Sequence, residues 1–362
     1  MTSKIKILLF LWIFLHSSTL LFAQTDKIFK AFKINLSDTL AHPENQFSGL
    51  TYRNHKLYLL CESRIQENHI ARIYSINKKE LKKAIADSTY QPAHKTILIK
   101  NLEKVKAQID AGGNLFEGLE AIDVKGKNVW LTIETISPSL KGYVISGKLK
   151  KNELIINDID ILALDIPLKN GEVLDNSGYE SIAYKNGKLL AAFEYNYFDT
   201  VNRFYSLNKN LSDTSIDYLA TAKVPFRITD WQFTGKDKLV ALNVFYKGKA
   251  DSYFRVPSTD SLNYKYTVND KGEPESFARI IQIYKTSWTS YTSTGILHDI
   301  KRSNKKKNDY YNWKTIGLLP SDYGKGYNWE GVTAFKKGYF ITNDKFTPTR
   351  ERKSYLLYIE LP

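Results

Sequence analysis

Acidic residues at one position of a recurring phrase are the residues of this sequence best placed to do chemistry. The phrase Phe116-Glu117-Gly118-Leu119-Glu120-Ala121 has relatives in Phe47-Ser48-Gly49-Leu50-Thr51, Tyr179-Glu180-Ser181-Ile182-Ala183, Thr229-Asp230-Trp231-Gln232-Phe233 and Trp329-Glu330-Gly331-Val332-Thr333. Each is followed by a turn and then a strongly apolar run. Read in register, the shared position holds Ser48, Glu117, Glu180, Thr229 or its neighbour Asp230, and Glu330. If the five segments converge on one axis, their carboxylates repel one another and raise their own pKa values unless a positive charge sits among them. Calcium accepts six to eight oxygen ligands in loose geometry and suits Glu, Ser, Thr and water, whereas zinc would call for His and Cys. The expected cofactor is Ca2+. The competing explanation makes these residues hydrogen-bonded turn starters, with Gly118 and Gly331 meeting backbone needs alone.

A second tier stands where each second strand should end: Glu62, Glu134, Glu194, Asn243 and Asn343-Asp344. These residues would rim a channel mouth, which makes Glu62, Glu134, Glu194 and Asp344 the candidates for catalytic acid or base. Arg64, Tyr195, Arg227 and Lys345 lie in nearby loops and could hold an anionic or metal-bridged substrate. Ordinary polarity at strand ends would explain any one of them equally well. Other chemistries lack their residues. Gly326 and Gly331 have Walker A spacing, but Val332 stands where the phosphate-binding lysine is needed. There is no Gly-x-Ser-x-Gly elbow, and the six histidines form no His-Glu-x-x-His pair. Cys61, the single cysteine, excludes disulfides and thiolate clusters and reads as core.

The elements that must position these groups are short strands in sets of four. The first set is Ser48 onward, Lys56 to Cys61, Ala71 to Ile76 and Lys95 to Leu102, with a short helix over Lys78 to Ala86. The second is Glu117 to Val124, Asn128 to Ile133, Gly142 to Leu149 and Leu154 to Leu164; the third is Glu180 to Tyr184, Lys188 to Phe193, Arg203 to Leu207 and Ile216 to Val224. The fourth, Asp230 to Phe233, Lys238 to Phe245, Ala278 to Tyr284 and Trp313 to Leu319, carries insertions over 252–275 and 285–308. The last set, Glu330 to Phe335, Gly338 to Thr342 and Ser354 to Leu361, ends one strand short, and Lys27 to Leu36 is the strand left over at the start. Pairing these two ends removes exposed sheet edges. The fold class is therefore all-β, a five-bladed β-propeller closed by its terminal strands. Six blades would require promoting a loop to a blade.

Met1 to Ala23 has the order of a secretory signal, with Lys4 and Lys6, an apolar run from Ile7 to Leu15, and Leu20-Leu21-Phe22-Ala23. Residues 24–362 then form a single propeller domain, exported to a periplasmic or extracellular compartment. No later stretch approaches the roughly 18 apolar residues of a membrane span. The formal charge of +14 favours anionic partners, whether phosphorylated small molecules, acidic polysaccharide, nucleic acid or an anionic membrane surface, and by itself chooses none of them. No helix-turn-helix or RNA-binding signature accompanies the charge, so nucleic acid is not the expected partner.

The order of a hydroxyl, two glutamates, a hydroxyl and a final glutamate resembles the axial ligand order of the five-bladed apyrase family, the calcium-activated nucleotidases. Trp329-Glu330-Gly331-Val332 also resembles the blade starts of the esterase-like phytase and SdiA-regulated propellers. The resemblance implies a calcium held by Ser48, Glu117, Glu180, Thr229 and Glu330, and a phosphorylated substrate hydrolysed at the mouth. Where apyrases place Asp-Asp-Arg-Thr-Gly, this chain has Cys61-Glu62-Ser63-Arg64-Ile65.

Overall fold

Apolar runs joined by two-residue turns fold back on themselves as antiparallel hairpins. At Asn54-His55 and Asn186-Gly187 both turn residues have positive φ, the geometry whose twist matches that of paired strands. The computed structural model describes residues 27–63, 70–174, 177–198, 202–245, 271–273, 275–287, 309–344 and 352–362. The leader and most of both insertions in the fourth strand set lie outside them.

After β1 (Lys30–Lys33), the first sheet contains β2 (Phe47–Arg53), β3 (Lys56–Cys61), β4 (Arg72–Asn77) and β5 (His94–Lys100). The second contains β6 (Phe116–Lys125), β7 (Asn128–Thr135), β8 (Lys141–Lys150) and β9 (Glu153–Ile156), with β10 (Leu162–Asp165) also paired to β8. The run expected from Leu154 to Leu164 thus splits in two. The third sheet is β11 (Ser181–Lys185), β12 (Lys188–Ala192), β13 (Arg203–Asn208) and β14 (Ile216–Thr221). The fourth is β15 (Arg227–Gly235), β16 (Lys238–Phe245), β17 (Phe277–Ser287) and β18 (Asp309–Leu318); the last holds β19 (Trp329–Phe335), β20 (Gly338–Asn343) and β21 (Leu356–Glu360). Parallel pairing of β5 with β9 and of β14 with β18 stitches neighbouring sheets at their outer edges.

The first strand of each sheet touches the next in the order β2, β6, β11, β15, β19 and back to β2, so these strands enclose one channel. This is a β-propeller. Between each neighbouring pair of sheets lies its own apolar layer: Leu60 and Ile73 against Leu119 and Leu131, Trp130 and Val144 against Tyr179 and Leu189, Leu190 and Phe204 against Trp231 and Ile281. Leu242 meets Trp329 and Ile341, and Phe335 and Phe340 meet Leu50 and Leu59. The terminal strands close the ring as expected, since β1 pairs antiparallel with β21, Lys30 opposite Glu360 and Lys33 opposite Leu357. The helix Lys78–Ala86 is present. A second helix, Leu102–Ala111, follows β5 where the sequence pattern predicts none; it buries Leu102, Val105 and Ile109 on one face.

Among the described glycines, Gly338 leaves the least room for a methyl group. A methyl group there would run into the backbone oxygen of Ile359 and lie 2.8 Å from the Tyr358 ring. Because a strand backbone cannot step aside as a flexible side chain can, Gly338→Ala is expected to cost about 1–3 kcal/mol. Urea unfolding checks this, with a lowered midpoint at unchanged slope.

Candidate metal centre

The hairpin turns decide which residues share a level in the channel. Arg53 pairs with Lys56, Lys125 with Asn128, Lys185 with Lys188 and Phe335 with Gly338 at the turn end of each first hairpin. Counting back from these pairs, and through the bulges of β15, Ser48 aligns with Glu120, Glu180, Thr229 and Glu330. Register shifts at Phe47/Gly49, Leu119/Ile122, Ile228/Asp230 and Trp329/Gly331 mark the same place in four of the strands. In the second sheet the aligned phrase is thus Leu119-Glu120-Ala121-Ile122, not Phe116-Glu117-Gly118-Leu119. A further bulge at Phe116/Gly118 makes the earlier phrase look like the true one. Glu117 is half-buried, three residues nearer the mouth, where its charge acts on Glu134. Spacing to the turn was the signal available in sequence, because Ser48–Asn54, Glu120–Gly126, Glu180–Asn186 and Glu330–Lys336 are equally separated.

By the same count the mouth level holds Glu62, Glu134, Glu194, Val244 and Asp344, so Asn243 and Asn343 fall one residue short of it. Glu62, Glu194 and Asp344 repeat one backbone bond, donating to the carbonyls of Gln46, Gly178 and Asn328. Glu134 pairs with Gly118 and Val244 with Arg227 at the corresponding place.

Carboxylate oxygens of Glu120, Glu134 and Glu180 lie within 4.8 Å of one another. Their residues are only 6, 6 and 4% exposed. Glu120 Oε1, Glu134 Oε1 and Glu180 Oε2 are buried without a hydrogen-bond partner, as are Thr229 Oγ1 and Glu330 Oε2. On the other side of Glu180, Arg227 donates through Nε to Glu194 Oε2, while its Nη2 lies 3.6 Å from Glu180 Oε1 and 3.8 Å from Glu330 Oε2. Gln46 donates to Glu62 at 2.5 Å, and Asn328 to Glu330 and, at 3.3 Å, to Asp344. Burial, reinforced by neighbouring carboxylates, holds the pKa values of Glu120, Glu134 and Glu180 well above the usual range. Burial likewise lifts Glu330 to about 8 against the pull of Arg227, and raises Glu194 despite it. Among the described residues a single guanidinium, that of Arg227, is ion-paired with this set and cannot neutralise it, and a carboxylate left buried and unpaired is costly. Oxygen donors alone, four of the five partnerless ones on carboxylates, fit a hard cation of the calcium class.

Towards the hairpin turns the channel is closed by a satisfied network. Asp123 accepts from Thr51 Oγ1 at 3.0 Å and from the Tyr184 N–H at 2.7 Å, and pairs with Arg53 at 3.1 Å. Gln232 donates to Thr51 at 2.8 Å and accepts from Thr333 at 2.5 Å. The partnerless oxygens of Glu120, Glu134, Glu180, Thr229 and Glu330 lie on the mouth side of this floor.

Of the residues predicted from sequence, Glu180, Thr229 and Glu330 lie level with Glu120, and Glu62, Glu134, Glu194 and Asp344 lie at the mouth level, from which the Glu134 carboxylate joins those of Glu120 and Glu180. Ser48 also reaches the ring but donates its hydroxyl to the Leu119 carbonyl at 2.6 Å. Asp230 stands one residue past the ring, and its oxygens accept the Val332 and Trp231 N–H groups at 2.8 and 2.7 Å. Tyr195 is packed against Phe198 in the third sheet's core and donates to the Tyr197 carbonyl. Arg227 is turned to the glutamates. Arg64 and Lys345 lie outside the described residues.

The sequence matches no protein-family profile and no curated protein. Among solved structures it is similar to a DUF4221-family member from Bacteroides vulgatus, with 11% identity and a TM-score of 0.39 over 94% of this chain and 99% of that one. A GH43_1 enzyme from Xanthomonas citri is similar at 6% identity and TM-score 0.42, over 92% of this chain and 90% of the other. The native arabinanase of Bacillus subtilis shares 10% identity and a TM-score of 0.40, over 87% of this chain and 95% of its own. No activity is carried over from them.

Proposed function

We propose that this chain is a calcium-dependent propeller hydrolase that holds one divalent cation in its channel and cleaves a phosphate ester or anhydride at the mouth. The observation that carries the reading is the set of buried, partnerless oxygens on Glu120, Glu134, Glu180, Thr229 and Glu330. With Glu120 in place of Glu117, the series Ser48, Glu120, Glu180, Thr229, Glu330 keeps the order of hydroxyl, two glutamates, hydroxyl and glutamate that resembles the calcium-activated nucleotidases. When bound, a cation of this class supplies Lewis acidity toward a phosphoryl oxygen and makes a neighbouring water more acidic. Glu120, Glu134 and Glu180 would hold it. Glu194 is the base of choice, because Arg227 favours its ionised form and the Gly178 N–H, 3.2 Å from Oε1, orients it. Gln46 and Asn328 fix Glu62 and Asp344 at the rim. An apolar leader over 1–23 supports export, and among the described residues no helix is long and apolar enough to cross a membrane.

One observation favours a second reading, a non-catalytic propeller whose cation has a structural role. Two of the four substrate-binding candidates, Arg227 and Tyr195, are engaged inside the protein. Release of inorganic phosphate from nucleotides, sugar phosphates and phytate, with calcium and with chelator, separates the two. Calcium-dependent release at least tenfold above the chelated control is expected. Background release across the panel while calcium binds would leave the structural reading standing.

A further inference from the structure

The fourth sheet reverses the charge pattern of the other four. Opposite the mouth-level acids Glu62, Glu134, Glu194 and Asp344 stand Gln46, Gly118, Gly178 and Asn328, none of them charged. In the fourth sheet the acid is replaced by Val244, and the residue opposite it is Arg227. A positive charge has been placed where the ring lacks a negative one. That guanidinium is buried and reaches Glu194, Glu180 and Glu330 together. Opposite charges held this close between buried side chains interact far more strongly than on a surface. The position of Glu180 is the informative one. Its Oε1 faces Arg227 Nη2 at 3.6 Å, whereas Oε2 has no hydrogen-bond partner and its carboxylate is grouped with those of Glu120 and Glu134.

We infer that the acidic channel has two cation positions, one filled permanently by the Arg227 guanidinium and the other left for a single divalent ion, with Glu180 shared between them. The inference rests on the reading that Glu120, Glu134 and Glu180 hold a divalent cation, and it adds the number of ions and their place. Arg227 is a specificity-determining residue: by sitting among Glu194, Glu180 and Glu330 it keeps a second ion out and displaces the first from the channel axis toward the second and third sheets. Glutamine at 227 would remove the charge, keep polar atoms to bond with, and hand Glu194 and Glu330 back as ligands. Calcium takes such additional carboxylates without strict geometry.

Calorimetric titration of calcium into metal-stripped full-length wild type and Arg227→Gln, with bound metal counted by elemental analysis, tests this. One ion per wild-type chain and two per R227Q chain is the expected result. One ion in both, or two in wild type, would overturn the inference while leaving the metal-centre reading intact. No ion in wild type but one in R227Q would overturn the inference, since the channel would then have a single cation position that Arg227 fills. No ion in either overturns both. Because R227Q could fail to fold, crystals of wild type soaked in terbium provide a second measurement. Anomalous density among Glu120, Glu134 and Glu180, with Arg227 still on Glu194, is expected; density between Glu194 and Glu330 with the guanidinium displaced overturns the proposal.

Discussion

Calcium is expected to raise the melting temperature of the metal-stripped protein by several degrees, Glu120→Gln to remove most of that rise, and Glu117→Gln to leave it nearly intact. A ligand that binds only the folded state stabilises it by about 2.7 kcal/mol at one hundred times its dissociation constant. Glu120 is buried, carries an oxygen with no hydrogen-bond partner and lies with Glu134 and Glu180. Losing its charge should weaken calcium by at least the roughly 10- to 100-fold that removal of even an outer partner costs at metal sites. The same change relieves repulsion when the ion is absent, so the E120Q protein should melt above wild type in chelator. Glu117 is half-buried outside the ring and acts on it only through its charge on Glu134, so its loss should change either quantity much less than loss of Glu120. Differential scanning calorimetry of the three proteins with calcium and with chelator decides between the registers. Equal loss in E117Q and E120Q would return the axial position to Glu117, and no shift in wild type at millimolar calcium would remove the metal centre.

The second large effect concerns closure. Deleting residues 27–36 should abolish recovery of a soluble folded monomer, since the last sheet would lose its fourth strand and expose an unpaired edge. The segment does more than pair with β21. Phe29 is buried against Tyr339, its N–H donates to the Leu318 carbonyl at 3.0 Å, and the Leu318 N–H donates to Lys27. It therefore ties the fourth sheet to the last as well as completing the last. Adding residues 27–36 back as a separate peptide should rescue folding, because the missing contacts are all non-covalent. A truncated protein that melts with the full chain in calorimetry would show that the ring does not depend on this strand.

The sequence by itself determined the architecture, because the signals for it are local. Alternating apolar residues and turn pairs such as Asn186-Gly187 specify hairpins, and a strand too few at one end with a spare at the other specifies how the ring closes. It also determined that carboxylates would gather on one axis, since a residue type repeated at one place in each sheet must converge when the sheets do. The sequence phrase points to Glu117 as the second sheet's axial residue whereas the structure has Glu120 level with the ring, for a physical reason. Two bulges in β6 produce two similar phrases three residues apart, and only pairing with β7 shows that Glu120, not Glu117, is level with Ser48 and Glu180. Asp230 and Tyr195 carried side chains suited to a site, yet the backbone N–H groups of Trp231 and Val332 claim the first and the aromatic packing of the third sheet claims the second. Arg227 is the plainest case of what tertiary structure decides. Its partners, Glu180, Glu194 and Glu330, come from two other sheets, and no spacing along the chain reveals that a basic residue will be buried among acids rather than offered to a ligand.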